Sequence, residues 1–250
     1  MKQTYLLIIT FISINVISAQ SFDYQTDFKK LVEQSKDTAS PNNYEKLKIE
    51  FIKNGEDFTK EKVLALMAGQ TASKNYDAYG HINNERSYQN AVNFPADTTY
   101  KYAKYYMGVN PISLSFNYGL WKTYEKDNDK NNAEKFKQRF NLLVGSILST
   151  GDGSIKRPYF VISPIDGQVI IRLYYGKEIG MMGSGEDANG NFVDILEMVD
   201  GKNSKSLNFV IDHAMGLFRK QLKEVDENKV EDKFEIDENG KVILKKKKGN

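Results

Sequence analysis

Apolar residues recur every three or four positions from residue 22 to about residue 150, which is the period of an amphipathic α-helix. The pair Thr59 and Glu61 is a typical helix start, because a threonine hydroxyl can accept a hydrogen bond from a free N–H group of the first turn. The longest apolar face is formed by Phe136, Phe140, Leu143 and Ile147, and its helix is predicted to end at Gly151 and Gly153. The pattern therefore predicts a helical region over residues 22–150.

The middle of this region carries a partial repeat signal. Asn110–Pro111 separates two predicted helices, and counting from Pro111 places Leu120, Tyr124 and Ala133 on positions of the tetratricopeptide template. Trp121 stands where the template has glycine. Two interpretations stay open, a tetratricopeptide unit and an ordinary helical hairpin.

After Gly153 the apolar period changes to two, the period of a β-strand. The predicted strands are Tyr159–Ser163, Gln168–Tyr175, Phe192–Met198 and Leu207–Ile211. Short links between them favour an antiparallel meander, and Asp212 is predicted to cap a final helix. The predicted fold class is α+β. An N-terminal helical region, which is either tetratricopeptide-like or built from ordinary helical hairpins, is followed over residues 151–223 by a small antiparallel sheet with a C-terminal helix.

The first 19 residues have the pattern of a cleavable secretory signal peptide. Lys2 precedes an apolar run over residues 5–12, and the small residues Ser18 and Ala19 precede Gln20. The run is too short to span a membrane, which takes about 20 apolar residues. We expect cleavage after Ala19, no transmembrane segment after cleavage, and a periplasmic or secreted protein.

Composition removes several classes of function. The chain has no cysteine, which excludes disulfides and thiolate metal sites. Its 35 Lys and Arg residues nearly balance 33 Asp and Glu residues, so no bulk charge points to nucleic acid. The 15 tyrosines and 14 phenylalanines can build a core or line a ligand groove. Residues 224–250 form a charged tail, in which Asn239–Gly240 is the turn signal of a hairpin.

The most polar candidate site is the segment Gly180–Asp194, predicted to be a glycine-rich loop tied down by buried Met181 and Met182. Its side chains offer hard oxygen ligands at short spacing, which suits calcium, although the spacing is wrong for a helix–loop–helix calcium loop. A structural turn, a metal site and a ligand loop are the three interpretations. The predicted ligand-binding residues are Ser184, Asp187, Asn189, Asn191, Asp194 and His213.

A hydrolase-like enzyme with a site around Gly183–Asp194 and His213 is the alternative function. Ser184, His213 and Asp187 could form a nucleophile, a base and an orienting acid, but the sequence has no nucleophile elbow around Ser184. We therefore assign no catalytic residue. Ser149–Ser154 has the composition of a phosphate-binding loop, but it lacks lysine and follows a helix, so it is predicted to be a helix stop and turn.

Several short sequence motifs of the chain resemble those of the domain-of-unknown-function family 4919. They are Phe22–Tyr24, Asp27–Phe28, Asn43–Leu47, Asn110–Pro111, Ser149–Gly153, Asp166–Gln168, Met182–Gly185, Asn189–Phe192, Asp194–Glu197 and His213–Met215. The resemblance covers about residues 22–222 and leaves the tail outside. It implies an exported bacterial protein that needs no cofactor, and it supplies no catalytic residues. The function we expect is a non-catalytic binding or scaffold protein of the periplasm or cell surface, with a protein, peptide or glycan partner.

Overall fold

The computed structural model describes residues 22–228, 233–236 and 242–245 of the chain. The predicted signal peptide and the predicted tail turn Asn239–Gly240 lie outside the described residues. The α-helices before the sheet are α1 Lys29–Lys36, α2 Tyr44–Asn54, α3 Lys60–Thr71, α4 Ile82–Gln89, α5 Ala96–Val109, α6 Leu114–Lys126 and α7 Lys130–Leu148. These helices form the N-terminal helical part of the predicted α+β fold.

Local capping explains where these helices begin. Thr59 accepts a hydrogen bond from the backbone N–H of Lys62 at the start of α3, as its sequence position predicts. Ser113 caps α6 and Asp129 caps α7 in the same way. The predicted apolar face of α7, from Phe136 to Ile147, is buried.

The helices α6 and α7 form a helical hairpin with a link of three residues. Leu120 and Ala133 are buried, and the Tyr124 ring stacks on Phe136 with 5.6 Å between ring centroids. The residues that fit the tetratricopeptide template therefore pack within this one hairpin.

The apolar side chains form two clusters. The larger one joins α2, α3, α7 and the helix α8, Pro164–Val169, to the sheet. The smaller one lies between α4, α5, α6 and α7, and its buried members are Tyr88, Ala91, Tyr106, Phe116, Leu120 and Phe136. The helices α4 and α5 are thus supported by a small, aromatic core of their own.

The sheet of the predicted α+β fold has four strands: β1 Tyr159–Phe160, β2 Glu178–Glu186, β3 Phe192–Asp200 and β4 Asn203–Val210. Their order is β1-β4-β3-β2. The strands β2, β3 and β4 form an antiparallel meander, in which β3 and β4 overlap the predicted strands Phe192–Met198 and Leu207–Ile211 but β2 was not predicted. Strand β1 pairs in parallel with the end of β4, Tyr159 opposite Phe209. The sheet is therefore mixed, and the α+β class is confirmed.

The strand predicted over Gln168–Tyr175 is wrong, because this segment is helical. It continues α8 Pro164–Val169 into a π-helical turn, Ile170–Tyr174. Ser163 and Asp166 form a capping box with a proline in the first turn, which starts a helix between the two predicted strands. The predicted strand Tyr159–Ser163 shortens to its first two residues for the same reason.

Close packing then holds α8 on the sheet. A side chain at Gly167 would come within 3.0 Å of Phe209 and Leu196, so glycine lets the helix approach β3 and β4. The apolar run that resembles a strand is buried on one side by the sheet and on the other by helices, which removes the alternation that distinguishes a strand.

The helix α9 Asp212–Asn228 follows β4 as predicted. Asp212 is its first residue, and its carboxylate accepts the backbone N–H of Phe192 at 3.2 Å, which joins α9 to β3. In the tail, β5 Lys233–Ile236 pairs antiparallel with β6 Val242–Lys245. Over the described part of the chain, no helix is both long enough and apolar enough to cross a membrane.

Candidate functional site

The segment predicted to be a glycine-rich loop is a β-hairpin. Gly180, Gly183 and Gly185 lie in β2, which is an edge strand of the four-stranded sheet, and the tip of the hairpin is the short turn before β3. Met181 and Met182 are 78% and 61% exposed, so their predicted burial is wrong. The reason is a bulge between Ile179 and Met182, where the Glu197 carboxylate accepts the backbone N–H of Met181 at 2.9 Å.

Three of the predicted binding residues form the tip of this hairpin, which we call the 187–191 turn. The backbone N–H groups of Asn189 and Asn191 donate to Asp187 Oδ1 at 2.8 and 2.9 Å, and Asn191 Nδ2 donates to Asp187 Oδ2 at 2.7 Å. Gly190 has a φ of +78°, which a larger residue adopts at a cost. Gln25 donates to Asn191 Oδ1 at 2.6 Å. The polar groups of Asp187 and Asn191 are therefore bonded within the turn or to the N-terminal segment.

Ser184 and Asp194 face each other across the hairpin, in register on β2 and β3. Ser184 is exposed, and burial raises the pKa of the Asp194 carboxyl to about 6. Neither residue belongs to the 187–191 turn.

His213 lies in a separate aromatic cluster with Tyr24, Phe28, Tyr76 and Phe160. Its backbone N–H donates to the Tyr24 hydroxyl at 3.2 Å, and this hydroxyl lies 3.0 Å from Nδ1 of the ring. Nε2 is buried and has no hydrogen-bond partner among the described residues. Burial lowers the pKa of His213 to about 3, which keeps the ring neutral.

The six predicted residues do not converge on one cavity. Asp187 and Asn189 line a cavity of about 240 Å³ beside Gln25 and Arg157, and the other four are not among its lining residues. No hydrogen bond joins Ser184 to His213 in the described structure, so the serine–histidine pair of the hydrolase alternative is not assembled. Among the described residues, no three histidine or acidic side chains are grouped closely enough to hold a metal ion.

A larger cavity, of about 430 Å³, lies between α4 and α5, and we call it the tyrosine cavity. Its lining residues are Asn84, Ser87, Tyr88, Ala91, Phe94, Thr98, Thr99, Tyr102, Tyr105 and Tyr106. None of these residues is charged, and seven carry a hydroxyl group. Its volume and its mixed aromatic and polar lining are typical of small-molecule sites.

Two tyrosines of this lining carry buried hydroxyl groups. Tyr88 and Tyr106 are 6% and 3% exposed, and their rings pack edge to face at 4.8 Å. Neither hydroxyl has a hydrogen-bond partner among the described residues. Burial raises the pKa of Tyr88 and brings that of Tyr106 to about 12, so both stay protonated at neutral pH. The Asn84 amide lowers the pKa of Tyr106 but does not reach its hydroxyl in hydrogen-bond geometry.

The outer part of the lining consists of exposed aromatic side chains. Tyr102 and Tyr105, on α5, are 58% and 63% exposed, and Phe94 is 45% exposed. Large exposed aromatics close together on a surface often mark a binding site. The tyrosine cavity therefore combines buried polar groups with an accessible aromatic rim.

A buried carboxyl group lies behind the residues that line the tyrosine cavity. Glu85 is on α4, it accepts a short hydrogen bond from the Ser113 hydroxyl, and burial raises its pKa to about 7. Burial and the nearby Glu85 raise the pKa of Asp166, in α8, to about 8. Burial favours the protonated form of both groups, although the Ile162 and Ser163 backbone N–H groups favour the Asp166 anion.

Sequence reasoning missed the tyrosine cavity and the two buried carboxyl groups. One signal was present, since Tyr102, Tyr105 and Tyr106 follow one another at helical spacing in a segment rich in hydroxyl side chains. That spacing is equally typical of a core-facing helix, and only the folded positions of α4 and α5 distinguish the two.

A family model, described as a domain of unknown function (DUF4919), matches residues 29–216. The match covers more than half of the chain. The protein belongs to this family. Comparisons with curated proteins and with solved structures found no match. The DUF4919 region contains the tyrosine cavity, the 187–191 turn and the whole four-stranded sheet, whereas β5 and β6 lie outside it.

Proposed function

We propose that this DUF4919 protein is an exported, non-catalytic binding protein whose ligand occupies the tyrosine cavity. The observation that carries the proposal is a 430 Å³ cavity lined by Tyr88 and Tyr106, whose hydroxyl groups are buried and have no partner among the described residues. A buried polar group without a partner costs about 1–3 kcal/mol, and a ligand that bonds to it offsets that cost. The 187–191 turn has no comparable demand, because its buried polar groups bond to one another.

The lining supports binding more than catalysis. Its described residues include Ser87, Thr98 and Thr99, which carry hydroxyls, but no histidine, carboxylate or lysine that could remove a proton from them. Nucleophilic catalysis by a hydroxyl needs such a base within hydrogen-bond reach.

Export rests on the basic, apolar and small-residue order of residues 1–19. Mass spectrometry of the protein from its native host tests this part, and we expect a mature N-terminus at Gln20. A mature protein that begins at Met1 would contradict export by cleavage.

The binding site is tested with a double variant, Tyr102→Ala with Tyr105→Ala. Saturation-transfer NMR would compare the wild type and the variant against neutral oligosaccharides, short peptides and small aromatic acids. We expect at least one of these compounds to bind the wild type and to lose binding in the variant. Asn189→Ala is the matched control, because the exposed Asn189 contributes its backbone N–H to the 187–191 turn. Binding that is lost in the control and kept in the double variant would move the site to the turn.

A further inference from the structure

We propose that the tyrosine cavity is selective for a neutral saccharide, an inference that rests on the proposed function and names its ligand class. Three properties of the described lining residues lead to this class: they carry no charge, two of them have buried hydroxyls without a partner, and others present exposed aromatic rings.

The absence of charge argues against an ionic ligand. A phosphate, carboxylate or ammonium group that enters the cavity loses hydration, and none of the lining side chains that the structure describes offers it an opposite charge. An ionic ligand would therefore bind with its charge outside the cavity or not at all.

The unpartnered hydroxyls argue against a purely apolar ligand. An alkyl chain would leave the oxygens of Tyr88 and Tyr106 buried and unbonded, so their cost would persist in the complex. Each phenol can donate one hydrogen bond and accept another, and Asn84 and Ser87 add further donors and acceptors to the same wall. The ligand must carry several hydroxyl or amide groups.

The exposed rings supply the remaining contact. A pyranose has faces made of C–H bonds and a rim of hydroxyls, so one face can lie on Tyr102 or Tyr105 while the rim reaches the buried phenols. A peptide has less to gain, because the cavity is walled by helices and offers no strand edge for backbone pairing. A neutral saccharide is the ligand class that satisfies all three properties.

Isothermal calorimetry on the full mature chain tests the class. The probes are neutral di- to tetrasaccharides of glucose, galactose, mannose and xylose, each with a counterpart that contains a uronic acid, together with a neutral tripeptide. We expect at least one neutral saccharide to bind, and its uronic acid counterpart to bind at least about tenfold more weakly.

The outcomes separate this inference from the proposed function. If only acidic saccharides or the peptide bind, and their binding requires Tyr102 and Tyr105, the neutral saccharide class is wrong and the cavity remains the site. If no binding depends on these two tyrosines, both proposals are wrong. If no neutral saccharide binds at millimolar concentration, the saccharide inference is overturned.

A second pair of variants tests the hydrogen bonds themselves. Tyr88→Phe and Tyr106→Phe keep the rings and remove the buried hydroxyls. We expect the melting temperature of each free variant to stay equal or rise, and saccharide affinity to fall about tenfold. Tyr174→Phe is the control, since Tyr174 is 43% exposed and is not among the lining residues of the cavity. Unchanged affinity in both buried variants, or a lower melting temperature with unchanged affinity, would show that these hydroxyls are structural and would overturn the inference.

Discussion

The tyrosine cavity and the 187–191 turn are both rich in polar side chains, yet they use them in opposite ways. In the turn, Asp187 accepts three hydrogen bonds from Asn189 and Asn191, and Asn191 is bonded to Gln25. In the cavity, the buried hydroxyls of Tyr88 and Tyr106 have no partner among the described residues.

The difference concerns what polar groups do in a folded chain. Groups that bond to one another hold a backbone shape, and removing one of them leaves the others unsatisfied. Groups that stay unpaired cost free energy until a partner bonds to them, and in our proposal that partner is a ligand. The number of oxygens in a segment is therefore a weaker indicator of a site than the number of oxygens without a partner.

The largest effect is expected at the turn. Asp187→Ala removes a buried acceptor of three hydrogen bonds, so we expect a loss of about 2–3 kcal/mol of unfolding free energy. Urea denaturation measures this loss. Asn189→Ala, the control, should lose less than about 0.5 kcal/mol. If Asp187→Ala were as stable as the wild type, the claim that the polar groups of the turn stabilise the fold would be wrong.

The second effect is a loss of binding without a loss of stability. Tyr102→Ala with Tyr105→Ala removes exposed rings from the cavity, so we expect saccharide affinity to fall by about tenfold or more. The unfolding free energy should change by less than about 1 kcal/mol, because both side chains are more than half exposed. An unfolded or strongly destabilised variant would mean that these rings are part of the core.

The third effect is a fall in stability between pH 6.5 and 8, caused by the carboxyl groups behind the cavity wall. Burial raises the pKa of Glu85 from 4.5 to about 7 and that of Asp166 from 3.8 to about 8. At a pH between the unfolded and folded pKa values, the folded state holds protons that the unfolded chain has released. The contribution of the two carboxyl groups to the free energy of unfolding is therefore full below about pH 4 and is lost as the pH rises through 7–8.

His213 acts in the opposite direction, but at lower pH. Its pKa falls from 6.5 to about 3 on folding, so its contribution is lost as the pH falls below 6.5. Melting temperatures measured from pH 6.5 to 8 therefore isolate the carboxyl groups. We expect a smaller fall in Glu85→Gln than in wild type, and a rise in wild-type stability over this range would contradict the pKa directions.

The smallest effect is expected for the free protein with phenylalanine in place of a buried tyrosine. Tyr88→Phe or Tyr106→Phe should leave the unfolding free energy unchanged or raise it by up to about 1 kcal/mol, because a buried hydroxyl without a partner is removed. Calorimetric unfolding measures the change. A loss of 1 kcal/mol or more in both variants would indicate that the hydroxyls have partners in solution.

Local signals in the sequence were sufficient for much of the fold. The period of the apolar residues predicts the apolar face of α7 and the strands β3 and β4. The local capping pattern predicts the Thr59 cap. The segment 164–175 did not, because Ile165, Val169, Ile170 and Ile171 are buried on all sides and read equally well as a strand. The capping box at Ser163 and Asp166 was the local signal that could have corrected it.

The candidate site was less accessible to sequence reasoning. The polar residues around Asp187 are visible in the sequence. Whether their oxygens already accept hydrogen bonds depends in part on Gln25, which is far away along the chain. The tyrosine cavity depends on how α4 and α5 pack over α6, and this packing is a tertiary property. Unpaired hydroxyl groups are a feature of the folded chain alone.

Backbone amide shift mapping is the most direct test of where the ligand binds. The ¹⁵N-labelled mature protein would be titrated with the neutral oligosaccharide that binds most tightly. We predict the largest shifts in residues 84–88 of α4 and 98–106 of α5, with little change in the 187–191 turn. The largest shifts in residues 187–191, with α4 and α5 unchanged, would contradict the assignment of the tyrosine cavity as the binding site.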